Sequence, residues 1–235
     1  MVVHLALFEL RLLLRKRITA VSVLVFPLGL CALAWLQFRG MPAQDWPAGL
    51  GLTFTMMLLL SVFLVSTTVF TARRQSLVLQ RLRTSELSDN GVFAGIAGPI
   101  MLVGVVQLLI YFAFCIAIGA PAPGQAGSVL LGLILGVPFA MIAGITTAAF
   151  SRSVEVTQIT SIPVLLAGMV GLFMVPSKDP VISTVGTFLP FAGPGELVTQ
   201  GWAGSIPLPA LASSLAWLLV LGFVAKRYFK WEPRQ

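Results

Sequence analysis

The sequence predicts an all-α polytopic membrane protein with six transmembrane helices, an N-terminal amphipathic helix, and a re-entrant outer segment before the last span. Three observations predict it. Of 235 residues, 57% are hydrophobic and 10% charged, against about 25% charged in an ordinary soluble domain. Residues 92–151 contain no Asp, Glu, Lys or Arg, a composition that hydrocarbon surroundings require and water does not. The basic residues also segregate. In a six-span layout, every one of the 15 except Arg39 and Lys178 falls on one side of the membrane. The positive-inside rule makes that side cytoplasmic and places both termini there.

Residues 1–17 read as an interfacial helix. His4, Arg11 and Arg15 share one face at spacings of seven and four, opposite a wide apolar face. The other reading is the basic flank of the first span. Residues 18–38 form that span, with Arg15, Lys16 and Arg17 before it. It is read as retained rather than cleaved, because further spans follow and Leu30 is too large to precede a lipoprotein cysteine at Cys31. A short outside loop follows, in which Trp46 fits an interfacial anchor. Span two is 50–72. Its hydroxyls at Thr53, Thr55, Ser61, Ser66, Thr67 and Thr68 either bond their own backbone or give a polar face to a cavity.

Arg73 to Asn90 is the only long polar segment between spans. It interleaves Arg73, Arg74, Arg81 and Arg83 with Leu77, Val78, Leu79 and Leu82, as a short amphipathic helix at the cytoplasmic surface would. Spans three and four are 92–118 and 128–150, joined by the uncharged turn GAPAPGQAG. A short inside loop carries Arg152. Span five is 157–175, with Gln158, Thr160 and Ser161 at its cytoplasmic end and Pro163 as a kink. Residues 176–206 are rich in proline and glycine yet apolar, which suggests half-helices dipping into the outer leaflet. Glu196 lies in this segment and has two readings: the one acid placed to reach a membrane-depth site, or a solvated or helix-capping residue. Span six is 207–225, and the tail KRYFKWEPRQ is a basic, aromatic stop.

Several function classes are excluded. The basic residues are explained by topology, so nucleic acid is not a partner. His4 is the only histidine, which removes a His-based nucleophile relay and a multi-His metal site; no metal ligand set or catalytic residue is assigned. Cys31 and Cys115 lie inside spans, as small core residues. No lysine follows a glycine, so the chain has no phosphate-binding Walker A loop and no cofactor of its own. No Asp, Glu, Lys, Arg or His sits deep in a span. That argues against an ion-coupled carrier and against a membrane enzyme acting on lipid.

The order of elements, the loop RRQSLVLQRLRTSELSDNGVFAG and the ending RYFKWEP resemble the ABC-2 type permeases of bacterial, in particular actinobacterial, ABC exporters of the daunorubicin-resistance kind. The resemblance covers the whole chain, 1–235, as one transmembrane domain. It implies a cell-membrane subunit that exports a hydrophobic or amphipathic substrate, such as a drug-like natural product, lipid or small peptide. It also implies a separate ABC ATPase subunit that binds ATP and Mg, and a second permease copy, as a homodimer or with a related permease. The loop after span two would be the coupling helix, with Gln75, Val78, Leu79, Arg81, Leu82, Arg83 and Thr84 docking on the ATPase. Members often carry Glu-Arg and a Gly near the start of this loop, where this chain has Ala72-Arg73-Arg74 and Gln75-Ser76. Spans two and five would face the pathway, through Thr53, Phe54, Met57, Ser61, Gln158, Ser161 and Leu165. The rival reading is a non-transporting immunity or sensor subunit that binds a peptide or signalling partner.

Overall fold

Hydrocarbon offers no partner to a free backbone N–H or C=O, so apolar runs of this length close their hydrogen bonds within helices. The computed structural model describes residues 17–76 and 89–229, with 6, 7 and 11, and for 17–26, 89 and 90 it describes the backbone alone. The remainder of the N-terminal segment and residues 77–88 and 230–235 lie outside the described residues. Among the described residues every regular element is helical.

Helix α1 is Arg17–Phe38, and at 1.5 Å per residue it has the length of a span. Helix α2 is Ala43–Gln75, 33 residues long, so the span read as 50–72 lies within a longer rod. It opens with a 3-10 turn, Ala43–Asp45, and Pro47 is tolerated in the first turn of the α-helical part that begins at Trp46, where a missing N–H costs little. Helices α3 (Asp89–Ala117), α4 (Ala126–Phe150) and α5 (Val154–Met174) follow. Helices α6 (Pro180–Thr187) and α7 (Ala192–Ala203) are bent by 113° at a short break. Helix α8 is Leu208–Tyr228. Apart from α1, the helices α2, α3, α4, α5 and α8 are long and apolar enough to cross a membrane, and the bent pair α6–α7 has the form of a re-entrant segment.

Trp46 is not the interfacial anchor expected of it. It is 2% exposed, with its ring 5.5 Å from that of Phe38. The short α1–α2 corner turns both rings inward, and burying them against each other removes more apolar area from water than either position at the headgroups.

Helix α4 forms the centre, against α2, α7 and α8. Gly132, Gly136, Ala140 and Gly144 recur every fourth residue and so share one face, which lets neighbouring backbones come close. A Cβ at Gly144 would stand 2.0 Å from Ser66 Oγ and 2.8 Å from Phe63 O of α2, and one at Gly132 would stand 3.0 Å from Pro194 O of α7. Ser128 Oγ adds a hydrogen bond of 2.8 Å to Leu197 O.

The break between α6 and α7 is fixed by side chains. Asp179 Oδ1 accepts the free N–H groups of Val181 and Ile182 at 2.8 and 3.2 Å, capping α6. Phe191 adopts a left-handed φ of 69°, which costs a residue with a Cβ. Its ring is 1% exposed, edge-on to Phe139 at 4.7 Å and to Phe63 at 5.8 Å. That burial offsets the strain. Trp217 Nε1 of α8 donates to Phe188 O at 2.9 Å, and Trp202 Nε1 of α7 donates to Pro121 O at 2.8 Å.

Candidate functional site

The hydroxyl groups of α2 divide in two. Thr55, Ser66, Thr67 and Thr68 donate to carbonyls of their own helix, at 2.7–3.0 Å in the i−4 position. For these four, local satisfaction is what the structure shows. Ser61 instead donates to Oε1 of Gln107 on α3, which is 4% exposed. Ser61 lies in a π-helical stretch, Leu58–Phe63, after which Leu64 N–H reaches back five residues to Leu59 O. Such a stretch widens the helix and re-aims the side chains it carries. A polar pair is thereby buried between two membrane helices.

At the end of the bundle bearing Arg73, Arg74, Arg152, Lys226 and Arg227, here the basic end, α2 is tied to the loop joining α4 and α5. Arg74 is fully buried, and its Nη2 donates to Ser151 O. Ser151 is the C-terminal cap of α4, so the guanidinium meets the negative end of that helix dipole. The next residue, Gln75, accepts through Oε1 from Val154 N–H at 3.2 Å, at the first residue of α5. Two consecutive side chains of α2 therefore satisfy a carbonyl beyond one helix and an orphan N–H starting the next. Ser153 caps α5 by accepting from Val156 N–H, and Ser151 Oγ meets Thr160 Oγ1 at 2.5 Å. The end of α2 is thus hydrogen-bonded to the end of α4 and the start of α5.

Of the expected coupling residues, Gln75 is this joint, while Val78, Leu79, Arg81, Leu82, Arg83 and Thr84 lie outside the described residues. The expected pathway residues are dispersed. Thr53, Phe54 and Met57 are buried in the protomer, with the Phe54 ring stacked on Phe112 at 6.1 Å. Ser61 holds Gln107. On α5, Gln158 is exposed, Leu165 half-buried and Ser161 buried.

Cavities lie between the described helices, among them two that none of those seven residues lines. One, of about 230 Å³, is walled by α2 (Ala48, Leu52, Thr55), α5 (Leu172, Val175, Pro176) and α7 (Glu196, Thr199, Gln200) at the end opposite the basic one. The other, of about 220 Å³, lies between α4, α5 and α8, under Phe191 and Trp217. Glu196 is half-buried in the first, with Oε1 accepting from Gln200 Nε2 at 2.8 Å. It neither caps a helix nor lies in open solvent, which goes against the solvated or capping reading of the two the sequence offered. The bend after Phe191 turns α7 back into the bundle and carries Glu196 with it.

Sequence reasoning also missed Arg74 as a joint and the small-residue face of α4. The four-residue spacing of Gly132, Gly136, Ala140 and Gly144 was a usable signal for the second. Nothing local marks Arg74, because its partner lies 77 residues away.

A comparison with curated proteins gives no match. The model of the family described as ABC-2 family transporter protein matches residues 19–225, a range that runs from α1 through the joint, the re-entrant pair and α8. The chain therefore belongs to the ABC-2 family and is a multi-pass membrane component of an ABC transporter.

Proposed function

We propose that the chain is the permease subunit of an ABC exporter in a bacterial cell membrane, moving a hydrophobic or amphipathic substrate outward with energy from ATP hydrolysed, with Mg, on a separate ATPase subunit. Two permease copies, identical or related, pair around the pathway, and the basic end faces the cytoplasm together with both termini.

The observation that carries this reading is the joint at Arg74 and Gln75. The basic, leucine-bearing segment that would dock on an ATPase begins at the residue hydrogen-bonded to the first turn of α5. Motion that ATP-driven closure of the ATPases imposes at Gln75 would bear on α2 itself and, through the two hydrogen bonds of the joint, on the ends of α4 and α5. Coupling then requires that the segment be held differently in the two states of the ATPase. Helices α2 and α5 also wall the cleft at the opposite end, so the joint and the cleft share two helices.

The test is to tag the C-terminal tail, solubilise the protein gently from its host and identify what remains bound. A stoichiometric partner with a Walker A motif is the expected result. A homodimer with no ATPase, confirmed by crosslinking in cells, overturns the transport reading in favour of an immunity or sensor subunit.

A further inference from the structure

The cleft between α2, α5 and α7 is rich in hydrogen-bond acceptors. Its walls are mainly apolar, from Ala48, Leu52, Leu172, Val175 and Pro176. The exposed Ala48, Leu52 and Pro176 mark its open side. Of the polar groups that line it, both hydroxyl donors and one N–H of Gln200 are already used. Thr55 Oγ1, at the buried floor, donates to Gly51 O at 3.0 Å, and Thr199 Oγ1 donates to Gly195 O at 3.2 Å. Gln200 Nε2 donates to Glu196, and Gln200 Oε1 accepts from Ser205 Oγ at 3.0 Å. What remains along the cleft is one N–H of Gln200 and a larger acceptor capacity, from the Glu196 carboxylate and the Thr199 oxygen lone pairs.

Among the described residues no basic side chain pairs with Glu196. A carboxylate half-enclosed by apolar walls with one amide donor is undersatisfied, and a cation with N–H donors supplies both the missing charge and the missing hydrogen bonds. An anion meets repulsion there, and a neutral group leaves the charge uncompensated.

We propose that this cleft binds an aliphatic primary ammonium, with Glu196 as its counter-ion, the Thr199 oxygen as a second acceptor, and the alkyl chain along Leu52, Leu172 and Val175. The proposal deepens the transport reading and rests on it only in naming the occupant as cargo. The same headgroup chemistry is carried by an aminolipid of the bilayer and by an exported amphiphilic amine.

The test uses the full chain with the partners it retains, in phosphatidylcholine nanodiscs, with empty nanodiscs subtracted. The probes are radiolabelled decylammonium, decanol and decyl sulfate. Decylammonium is expected to bind best, and Glu196→Gln to weaken it by about tenfold or more while leaving decanol unchanged. Leu52→Trp, which narrows the open side and keeps the charge, should weaken decylammonium binding by an independent route. Equal decylammonium binding by wild type and Glu196→Gln, or decyl sulfate binding as well as decylammonium, overturns the proposal. If Glu196→Gln does not fold, Thr199→Val and Leu52→Trp carry the test, and unchanged binding in both overturns it. Adding phosphatidylethanolamine to the nanodiscs separates the sources: competition assigns the site to a lipid headgroup, and its absence to a transported amine. Binding is read without ATP, so failure to find an ATPase partner leaves this result standing, and loss of binding leaves the partner result standing.

Discussion

Replacing Arg74 by methionine tests the joint most directly. Methionine keeps an apolar stem of similar reach and removes only the guanidinium. Two effects oppose each other. A buried charge is relieved of its desolvation cost, which favours the variant. Against this, the buried carbonyl of Ser151 loses its charged donor, a loss of about 1–3 kcal/mol, and the end of α4 loses a cation at its dipole, a loss of about 0.3–1 kcal/mol. The partner left behind is a fixed carbonyl on a buried residue, with no side-chain rotation by which to reach water. The loss therefore outweighs the relief, and Arg74→Met should loosen the α4–α5 loop by about 1–2 kcal/mol. The assay is maleimide labelling of a Ser151→Cys reporter from the basic side. Ser151 is fully buried, so labelling requires opening, and it should rise about five- to thirtyfold in Arg74→Met. Arg74→Lys, which keeps the charge but not the planar fork, should fall between the two. In the assembled transporter ATP hydrolysis should persist while transport falls. Unchanged labelling and unchanged transport in Arg74→Met would refute the joint.

Other expectations follow from separate parts of the molecule. Leu79→Asp with Leu82→Asp should uncouple ATPase turnover from transport while membrane insertion stays normal; retained ATP-driven export in that double variant removes the docking role. Gly144→Ala should destabilise the fold by about 1–3 kcal/mol, read from unfolding in mixed micelles. Adding Ser66→Ala should restore only part of this, because the added Cβ still lies 2.8 Å from Phe63 O. A double-mutant cycle over Ser61→Ala and Gln107→Leu should give a coupling of about 0.6 kcal/mol, and a value indistinguishable from zero would mean the pair is incidental.

Periodicity and charge placement made much of the fold legible. The uncharged run 92–151 points to helices, because a bilayer allows only helices or closed barrels and this run lacks the alternation of barrel strands. The apolar residues 176–206, broken by Pro180 and Pro190, signalled a re-entrant pair for the same reason. These are local rules, satisfied by a residue and its near neighbours in the chain, so the sequence by itself determined the helices and the presence of a break.

What only the tertiary structure decided is where side chains meet across the bundle. Arg74 reads as one more positive-inside residue until α2 and α4 are packed and Ser151 stands beside it. Glu196 has two readings, surface acid or buried acid, until the bend at Phe191, held by Phe63 and Phe139 from two other helices, returns α7 between α2 and α5. Ser61 is indistinguishable in sequence from the hydroxyls around it, and the neighbouring Gln107 separates it from those that bond their own backbone. In each case the deciding partner is distant in the chain. Its position is set by close approach of helix backbones at small residues such as Gly132 and Gly144, which no single helix's pattern specifies.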